Sequence, residues 1–212
     1  MHPNPIFRDH PQAEALAFAL ERGFGILSVN GTAAPLLAHI PFAAAPEAGR
    51  IEFHLVRSNP IVAALKAPGQ AVIAVSGAEA YVSPDWYGLP DQVPTWNYLA
   101  VHLRGRVERL PDTALRGVLD RLSAEFERHL LPKTPWTLDK MDTDATARLM
   151  RMIVPFVLHV EDVQSTWKLG QNKPPAVQEA AGRAMQAADM APGAVELGAA
   201  MVAAGIARRG DV

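Results

Sequence analysis

The chain has 212 residues, of which 49% are hydrophobic and 20% are charged, and this composition is typical of a globular protein rather than a disordered one. The 20 Lys and Arg residues against 22 Asp and Glu give a net charge of −2, which leaves only a local basic patch as a route to nucleic acid or an anionic membrane. The absence of cysteine excludes disulfides, thiolate metal sites and cysteine nucleophiles, and fits a reducing compartment.

No apolar run reaches the ~18 residues of a membrane span, and residues 1–10 contain no apolar signal core. We therefore expect a cytoplasmic protein, without contact to a membrane. The many alanines and few lysines are typical of a GC-rich bacterial genome.

The first half of the chain predicts mainly short strands. Apolar residues at helical spacing before Gly23 indicate a helix, and the alternation of Ile51, Phe53 and Leu55 with polar neighbours indicates a half-buried strand. Asn30-Gly31 is a strong hairpin signal. The predicted elements are a helix over residues 12–22, strands over 24–30, 36–42, 51–56, 71–76 and 80–83, a short helix over 60–66 and a Pro-rich loop over 84–96.

The second half mixes longer strands with helices. It predicts strands over 97–109 and 155–163, helices over 112–131 and 144–152, and an Ala-rich helical tail broken at Pro192-Gly193. Six or more strands with interspersed helices favour an α+β fold, a small antiparallel β-barrel with peripheral helices. Irregular alternation and the lack of a Gly-rich fingerprint argue against a doubly wound parallel sheet. We expect a barrel domain over residues 1–174 and a helical C-terminal extension over 175–212.

A strand runs directly into a short helix at Arg57-Ser58-Asn59-Pro60. Asn59 suits the N-cap and Pro60 the first helical position, while a helix N-terminus offers N–H groups and partial positive charge to a phosphate. The Arg57 guanidinium and Ser58 hydroxyl would complete such a site. The alternative is an ordinary helix start with a surface arginine.

Two loops carry further candidate ligands. Five Trp and Tyr side chains flank the Pro-rich loop, in the segments 81–87 and 93–98, where they could face a planar ligand or a partner, or simply anchor the loop. The segment 167–173 carries two lysines and two amides, which suit phosphate oxygens or ring carbonyls, with a solvated loop as the alternative.

Histidines in the predicted strands match no metal-binding motif, and the sequence contains neither H-E-x-x-H nor G-x-S-x-G. We therefore predict no metal site, and no catalytic residue can be assigned. The histidines concerned are His39, His54, His102 and His159.

Taken together, these segments resemble the PaiB-type family of FMN-binding negative transcriptional regulators. The resemblance extends to about Pro175, and Val-Pro-Thr-Trp-Asn-Tyr at 93–98 is its most distinctive element. The other matching motifs, in the family's order, are Ala38-His-Ile-Pro41, Arg57-Ser-Asn-Pro60, Tyr81-Val-Ser-Pro-Asp-Trp-Tyr87, Val101-His102 and Lys168-Leu-Gly-Gln-Asn-Lys173.

The resemblance implies a split β-barrel of the FMN-binding type, a homodimer with FMN at the subunit interface. It assigns the phosphate to Arg57, Ser58 and Asn59. It further places His39 at the ring, Thr95, Trp96 and Asn97 along the ligand site, and Lys168, Gln171, Asn172 and Lys173 as polar contacts, from the same or the other subunit. Two features depart from the family pattern: Gly170, where Ser is usual, and the Ala-rich tail.

Apolar strand faces favour the dimer, because those at 51–55 and 99–103 exceed what the interior of one small barrel is expected to need. FMN is favoured over FAD or NAD, since no Gly-rich turn exists for a pyrophosphate.

Three functions stay open: a transcriptional regulator, a flavin oxidoreductase using a nicotinamide reductant, and a flavin-binding module without turnover. The net charge and the lack of a basic recognition helix argue against tight direct DNA binding, although DNA stays open as a partner.

Overall fold

The structure is a computed structural model and describes residues 1–188, 190 and 193–210. Within these described residues, six strands and six α-helices follow one another, with short 3₁₀ turns between several of them. The strands are β1 Phe24–Val29, β2 Leu36–Ala44, β3 Arg50–Val56, β4 Gly69–Val82, β5 Thr95–Arg109 and β6 Ile153–Lys168. The helices are α1 Gln12–Arg22, α2 Pro60–Ala64, α3 Leu115–Glu127, α4 Thr143–Met150, α5 Pro175–Ala188 and α6 Ala194–Gly210.

The strands form a closed antiparallel barrel in the order β1-β2-β3-β6-β5-β4. In its register, Ile26 of β1 faces His39 of β2 on one side and Ala74 of β4 on the other, and Phe53 of β3 faces Phe156 of β6. Closure pairs the strands on both sides, which removes the exposed edges of an open sheet. The predicted α+β fold with a split barrel and peripheral helices is confirmed.

Strand alternation fills the barrel interior. On β5 every second residue from Asn97 to Val107 is buried, and Val101, Leu103 and Val107 have no exposed surface. Phe53 and Phe156 are also fully buried, with parallel rings whose centroids lie 5.7 Å apart. The apolar strand faces that we expected to exceed the needs of one barrel are therefore buried within the single chain. The argument for a dimer that was based on them was wrong.

Several predicted elements differ in extent from the observed ones. The two short strands expected over 71–76 and 80–83 form one strand of 14 residues, and β6 continues to Lys168, beyond the predicted end at residue 163. Asn30-Gly31 does not form a two-residue hairpin, because β1 and β2 are joined through residues 30–35. The predicted helix over 112–131 divides into α3 and two flanking 3₁₀ turns.

The chain separates into two compact units. One contains Met1–Ala15, Ser76–Val101 and Gln164–Val212, and the other contains Leu16–Val75 and His102–Val163. A domain boundary at residue 174 stays a prediction. The predicted break in the tail falls at Pro192, outside the described residues, and at Gly193, which precedes α6.

Helices α5 and α6 pack closely against each other in the first of these units. Ala181, Met185, Leu197 and Met201 are fully buried there. Gly182 of α5 allows this approach, because a Cβ at that position would lie 2.7 Å from the backbone oxygen of Gly198 and 3.0 Å from Met201 Cβ.

We predict that Gly182→Ala destabilises the protein. Alanine gains up to about 1 kcal/mol of helix propensity over glycine. The clash with a backbone atom is expected to outweigh this gain, because overpacking costs roughly 1–3 kcal/mol. Urea unfolding would measure the change. The control is Gly210→Ala at the end of α6, where an added Cβ meets nothing within 4 Å. Equal stability of the two variants would contradict the close packing.

Candidate functional site

A cavity of about 300 Å³ opens in the unit formed by residues 1–15, 76–101 and 164–212. The segment before α5, the start of β5 and the Pro-rich loop contribute most of its lining. The lining residues are Phe7, Tyr87, Asp91, Gln92, Val93, Thr95, Asn97, Lys168, Asn172 and Lys173. The structure thus brings together five of the residues assigned by resemblance, those at 95, 97, 168, 172 and 173.

Asn97 is the polar member of an otherwise apolar strand face. It shares the inward face of β5 with Leu99 and Val101 because side chains alternate along a strand, and it is fully buried. Its Nδ2 donates to Met201 Sδ at 3.4 Å, a weak acceptor. Its Oδ1 has no hydrogen-bond partner among the residues that the structure describes. An unpaired buried oxygen costs about 1–3 kcal/mol, which a bound donor would recover.

Lys168, the last residue of β6, is hydrogen-bonded to the first two residues of β5. Its Nζ donates to Thr95 Oγ1 at 2.5 Å and to the Trp96 carbonyl oxygen at 2.7 Å. Burial lowers the pKa of this ammonium. Two of its three N–H donors are occupied by these contacts, so one remains for a ligand.

Lys173 supplies a second cation. Its Nζ donates to Gln92 Oε1 and lies 5.2 Å from the centroid of the Tyr87 ring. Burial raises the pKa of the Tyr87 phenol, so this group stays neutral and able to donate. The cavity therefore combines the ammonium groups of Lys168 and Lys173 with the Asn97 side-chain oxygen, which accepts no hydrogen bond from the described residues.

Gln171 stabilises the loop rather than lining the cavity. Its Oε1 accepts from the Leu169 N–H at 2.7 Å, and its Nε2 donates to the Trp167 carbonyl oxygen at 2.6 Å. Gly170 beside it has a φ of +82°, in the left-handed region that favours glycine. The Trp96 side chain is 55% exposed and lies outside the lining.

The C-terminal helices are fastened to this loop by their own polar groups. Gln178, fully buried in α5, donates to the Leu169 carbonyl oxygen at 3.0 Å and accepts from Arg208 Nη1 at 2.7 Å. Arg208 also donates to the Lys173 carbonyl oxygen, and Arg209 pairs with the buried Glu179 carboxylate at 2.5 Å. The basic pair at the end of α6 therefore has a structural role.

The predicted phosphate segment lies in the other unit, between β3 and α2. The capping prediction is confirmed, since Asn59 Oδ1 accepts from the Ile61 N–H at 2.9 Å and Pro60 begins the helix. The premise of free helix N–H groups was wrong. Proline has no N–H, the Ile61 N–H is taken by the cap, and the Val62 N–H bonds to the Asn59 carbonyl oxygen. Arg57 and Ser58 are exposed beside the cap.

Arg57 is oriented by several acceptors. Its Nε donates to the Arg151 carbonyl oxygen at 2.9 Å, and one terminal nitrogen contacts the Ile153 carbonyl oxygen at 3.1 Å and Asp112 at 3.4 Å. Asp112 also pairs with Arg109 at 2.8 Å, and these arginines hold the pKa of its carboxyl below its usual range, Arg109 more strongly. Two guanidiniums against one carboxylate leave a local positive charge.

His39 lies on the outward face of β2, in the same unit as Arg57. Its ring stacks near Phe24 of β1, with centroids 6.3 Å apart and planes inclined by 25°. Both side chains are exposed. His39 therefore forms part of a surface rather than of an enclosed pocket.

Sequence reasoning assigned no role to several cavity residues. Phe7, Asp91 and Gln92 reach the cavity from segments without a recognisable motif. Tyr87 belonged to the aromatic loop but was not singled out. Only the approach of the Pro-rich loop and the N-terminal segment to β5 brings these side chains in, and no local spacing reports it. The described residues contain no group of three His, Asp or Glu side chains placed to hold a metal ion.

The closed six-stranded antiparallel barrel with its peripheral helices defines a protein of the split-barrel class. The chain belongs to the family whose model, described as "Putative FMN-binding domain", matches residues 1–162. It is 30% identical over 158 residues to "Protease synthase and sporulation protein PAI 2" of Bacillus subtilis, covering 74% of this chain and 75% of that protein. The resemblance stated from the sequence motifs is confirmed.

Two solved structures share the fold at low sequence identity. The FAD and heme binding protein from Mycobacterium smegmatis has a TM-score of 0.54 at 17% identity, over 74% of this chain and 71% of that one. The flavocytochrome Anf3 from Azotobacter vinelandii has a TM-score of 0.53 at 15% identity, over 80% and 73%. These likenesses establish the barrel architecture.

Among the described residues, no helix is both long and apolar enough to cross a membrane.

Proposed function

We propose that this protein binds FMN, with the ring system in the cavity beside Asn97. The Asn97 Oδ1, which has no hydrogen-bond partner among the described residues, carries this proposal. The imide of an isoalloxazine presents one N–H between two carbonyl oxygens, and the cavity offers the complementary set: one acceptor at Asn97 and donors at Lys168 and Lys173. When bound, FMN supplies reversible redox chemistry, whereas this chain's residues bind and orient the ring.

Arg57 and Ser58 are the proposed phosphate ligands. The local charge around Arg57 is positive, and a guanidinium forms charge-assisted hydrogen bonds to phosphate oxygens. Asn59 caps α2 with its side-chain oxygen and so fixes the backbone beside Arg57 and Ser58. The side-chain nitrogen of Asn59 is then a further donor for the phosphate. In a homodimer, the phosphate ligands and the ring ligands can come from different subunits.

The proposed dimer interface includes the outward face of β1 and β2. Leu37 and Phe24 are 62% and 53% exposed, and His39 lies on the same face as Leu37. Exposed apolar side chains beside a histidine that the family places at the flavin ring favour a subunit contact here.

For the cellular role, we propose an FMN-binding regulator that acts through a partner rather than by tight DNA contact. Two arginines of β5 and one at the end of α6 are paired with carboxylates of the chain: Arg106 lies 3.4 Å from Glu108, Arg109 pairs with Asp112, and Arg209 pairs with Glu179. Paired charges release few counterions on DNA. An oxidoreductase reaction is not favoured by any specific contact in the cavity.

Arg57→Ala is expected to weaken FMN binding by about 2–3 kcal/mol, because a charge-assisted phosphate contact is lost. Riboflavin, which lacks the phosphate, should bind the variant and the wild type equally, and more weakly than FMN binds the wild type. Titration calorimetry with both ligands would measure this. Arg50→Ala, an exposed arginine at the start of β3, is the control. An equal loss for riboflavin would place Arg57 outside phosphate recognition.

Asn97→Leu is expected to weaken FMN and riboflavin by the same factor, roughly three- to tenfold, because it removes a ring contact and leaves the phosphate contact intact. Thermal unfolding would establish that the variant is folded. Unchanged affinity for both ligands would exclude the cavity as the ring site.

Leu37→Glu is expected to convert the dimer into a monomer and to lower FMN affinity with it, because a charge would be buried in the interface. Light scattering at micromolar concentration gives the mass. Leu149→Glu, which changes an apolar residue on α4 that is 49% exposed, should leave the dimer intact. A monomeric wild type would reject the interface.

Direct DNA binding is expected to be weaker than about 1 µM at physiological salt and to weaken further as salt rises. A mobility-shift titration on genomic fragments, with and without FMN, tests this. Nanomolar binding to one promoter fragment at about 0.2 M salt, with competitor DNA present, would show that the protein reads DNA itself.

A further inference from the structure

A second cavity, of about 280 Å³, lies in the unit formed by residues 16–75 and 102–163. It is bounded by β2, β3, the C-terminal half of α3 and the segment that follows α3. Its lining residues are Pro41, His54, Leu119, Leu122, Ser123, Phe126, Glu127 and Trp136. None of them belongs to the proposed FMN site.

His54 supplies the unsatisfied polar group of this cavity. Its Nδ1 is buried and has no hydrogen-bond partner within the part of the chain that the structure describes. Burial lowers the pKa of the imidazole, so the ring is neutral near pH 7. A neutral imidazole nitrogen is a donor in one tautomer and an acceptor in the other, and a hydroxyl group can pair with either.

The charge at the cavity wall is already compensated. The Glu127 carboxylate accepts hydrogen bonds from Lys133 Nζ and, at 2.9 Å, from the Trp136 backbone N–H. Both contacts hold the pKa of this carboxyl below its usual range, and the contact with Lys133 has the larger effect. A ligand therefore needs no charge of its own. The Phe126 and Trp136 rings and the leucines of α3 favour a flat apolar body.

We propose that this cavity is a binding site for a neutral, two-ring aromatic compound that bears one hydroxyl group. An apolar cavity of about 150 Å³ is sufficient for benzene, so a volume of about 280 Å³ admits a fused second ring. The rings occupy the space between α3 and Trp136, and the hydroxyl pairs with His54. This site does not depend on the proposed FMN function.

Naphthol and methylnaphthalene test the proposal directly, because they match in shape and differ in the hydroxyl. Titration of the full chain by calorimetry should show naphthol binding roughly three- to tenfold more tightly, the contribution of one recovered hydrogen bond. Equal affinities, or no binding of either compound, would overturn the proposal.

His54→Phe keeps a ring of similar size and removes the nitrogens, so naphthol should lose its advantage over methylnaphthalene. His102→Phe, at another half-buried strand histidine outside the cavity, is the matched control and should bind like the wild type. If His54→Phe does not fold, Ser123→Phe fills the cavity from α3 and should abolish binding of both compounds. Wild-type affinities in a folded His54→Phe or Ser123→Phe variant would overturn the assignment.

A titration at saturating FMN separates this site from the flavin site. Equal naphthol affinity with and without FMN supports a separate cavity. Competition between the two would show that naphthol occupies the flavin site and would overturn the proposal. If FMN does not bind at all, the proposed function fails, while the naphthol comparison between wild type and variants still decides this one.

Discussion

The alternation of side chains along β5 is the constraint from which the candidate site follows. A strand in a closed barrel must turn every second residue inward, and the face that carries Leu99, Val101, Leu103 and Val107 into the core also carries Asn97. The amide is thereby buried at the beginning of the strand, with its oxygen unpaired among the described residues. A barrel stabilised by apolar packing tolerates such a group where a ligand supplies the missing donor.

Local chemistry made the simplest parts of the fold predictable from the sequence. The cap at Asn59, the end of α1 before Gly23 and the alternation of β3 each depend on neighbours a few residues away. Strand lengths depended on partners far along the chain. Residues 77–79 look like a turn, yet they continue β4, because a strand paired within a barrel can extend through small residues. The apolar faces of β3 and β5 were misjudged as a surplus for the same reason, because strands distant along the chain complete the barrel interior in which they are buried.

Five of the ten cavity residues were predictable from the sequence, but the role of each side chain was not. The family motifs identified Lys168, Gln171 and Lys173 together, whereas the structure gives the lysines to the cavity and the glutamine to the loop backbone. Nothing in the spacing separates an amide that binds a ligand from one that satisfies two main-chain groups. The same holds for Arg208, whose guanidinium donates to Gln178 and to a carbonyl oxygen. Hydrogen-bond partners, not residue types, decide such roles.

The guanidinium of Arg57, the proposed phosphate ligand, is oriented by two main-chain carbonyl oxygens. Its Nε and one terminal nitrogen donate to the carbonyl oxygens that follow α4 and begin β6, at 2.9 and 3.1 Å. These bonds fix the plane of the guanidinium, and the remaining terminal nitrogen has no part in them. A side chain already held in place loses less conformational entropy on binding than a free arginine, for which this loss is up to about 2 kcal/mol. The two carbonyl contacts therefore favour anion binding even though they occupy part of the donor set, because a preorganised donor forms a stronger net contact than a free one.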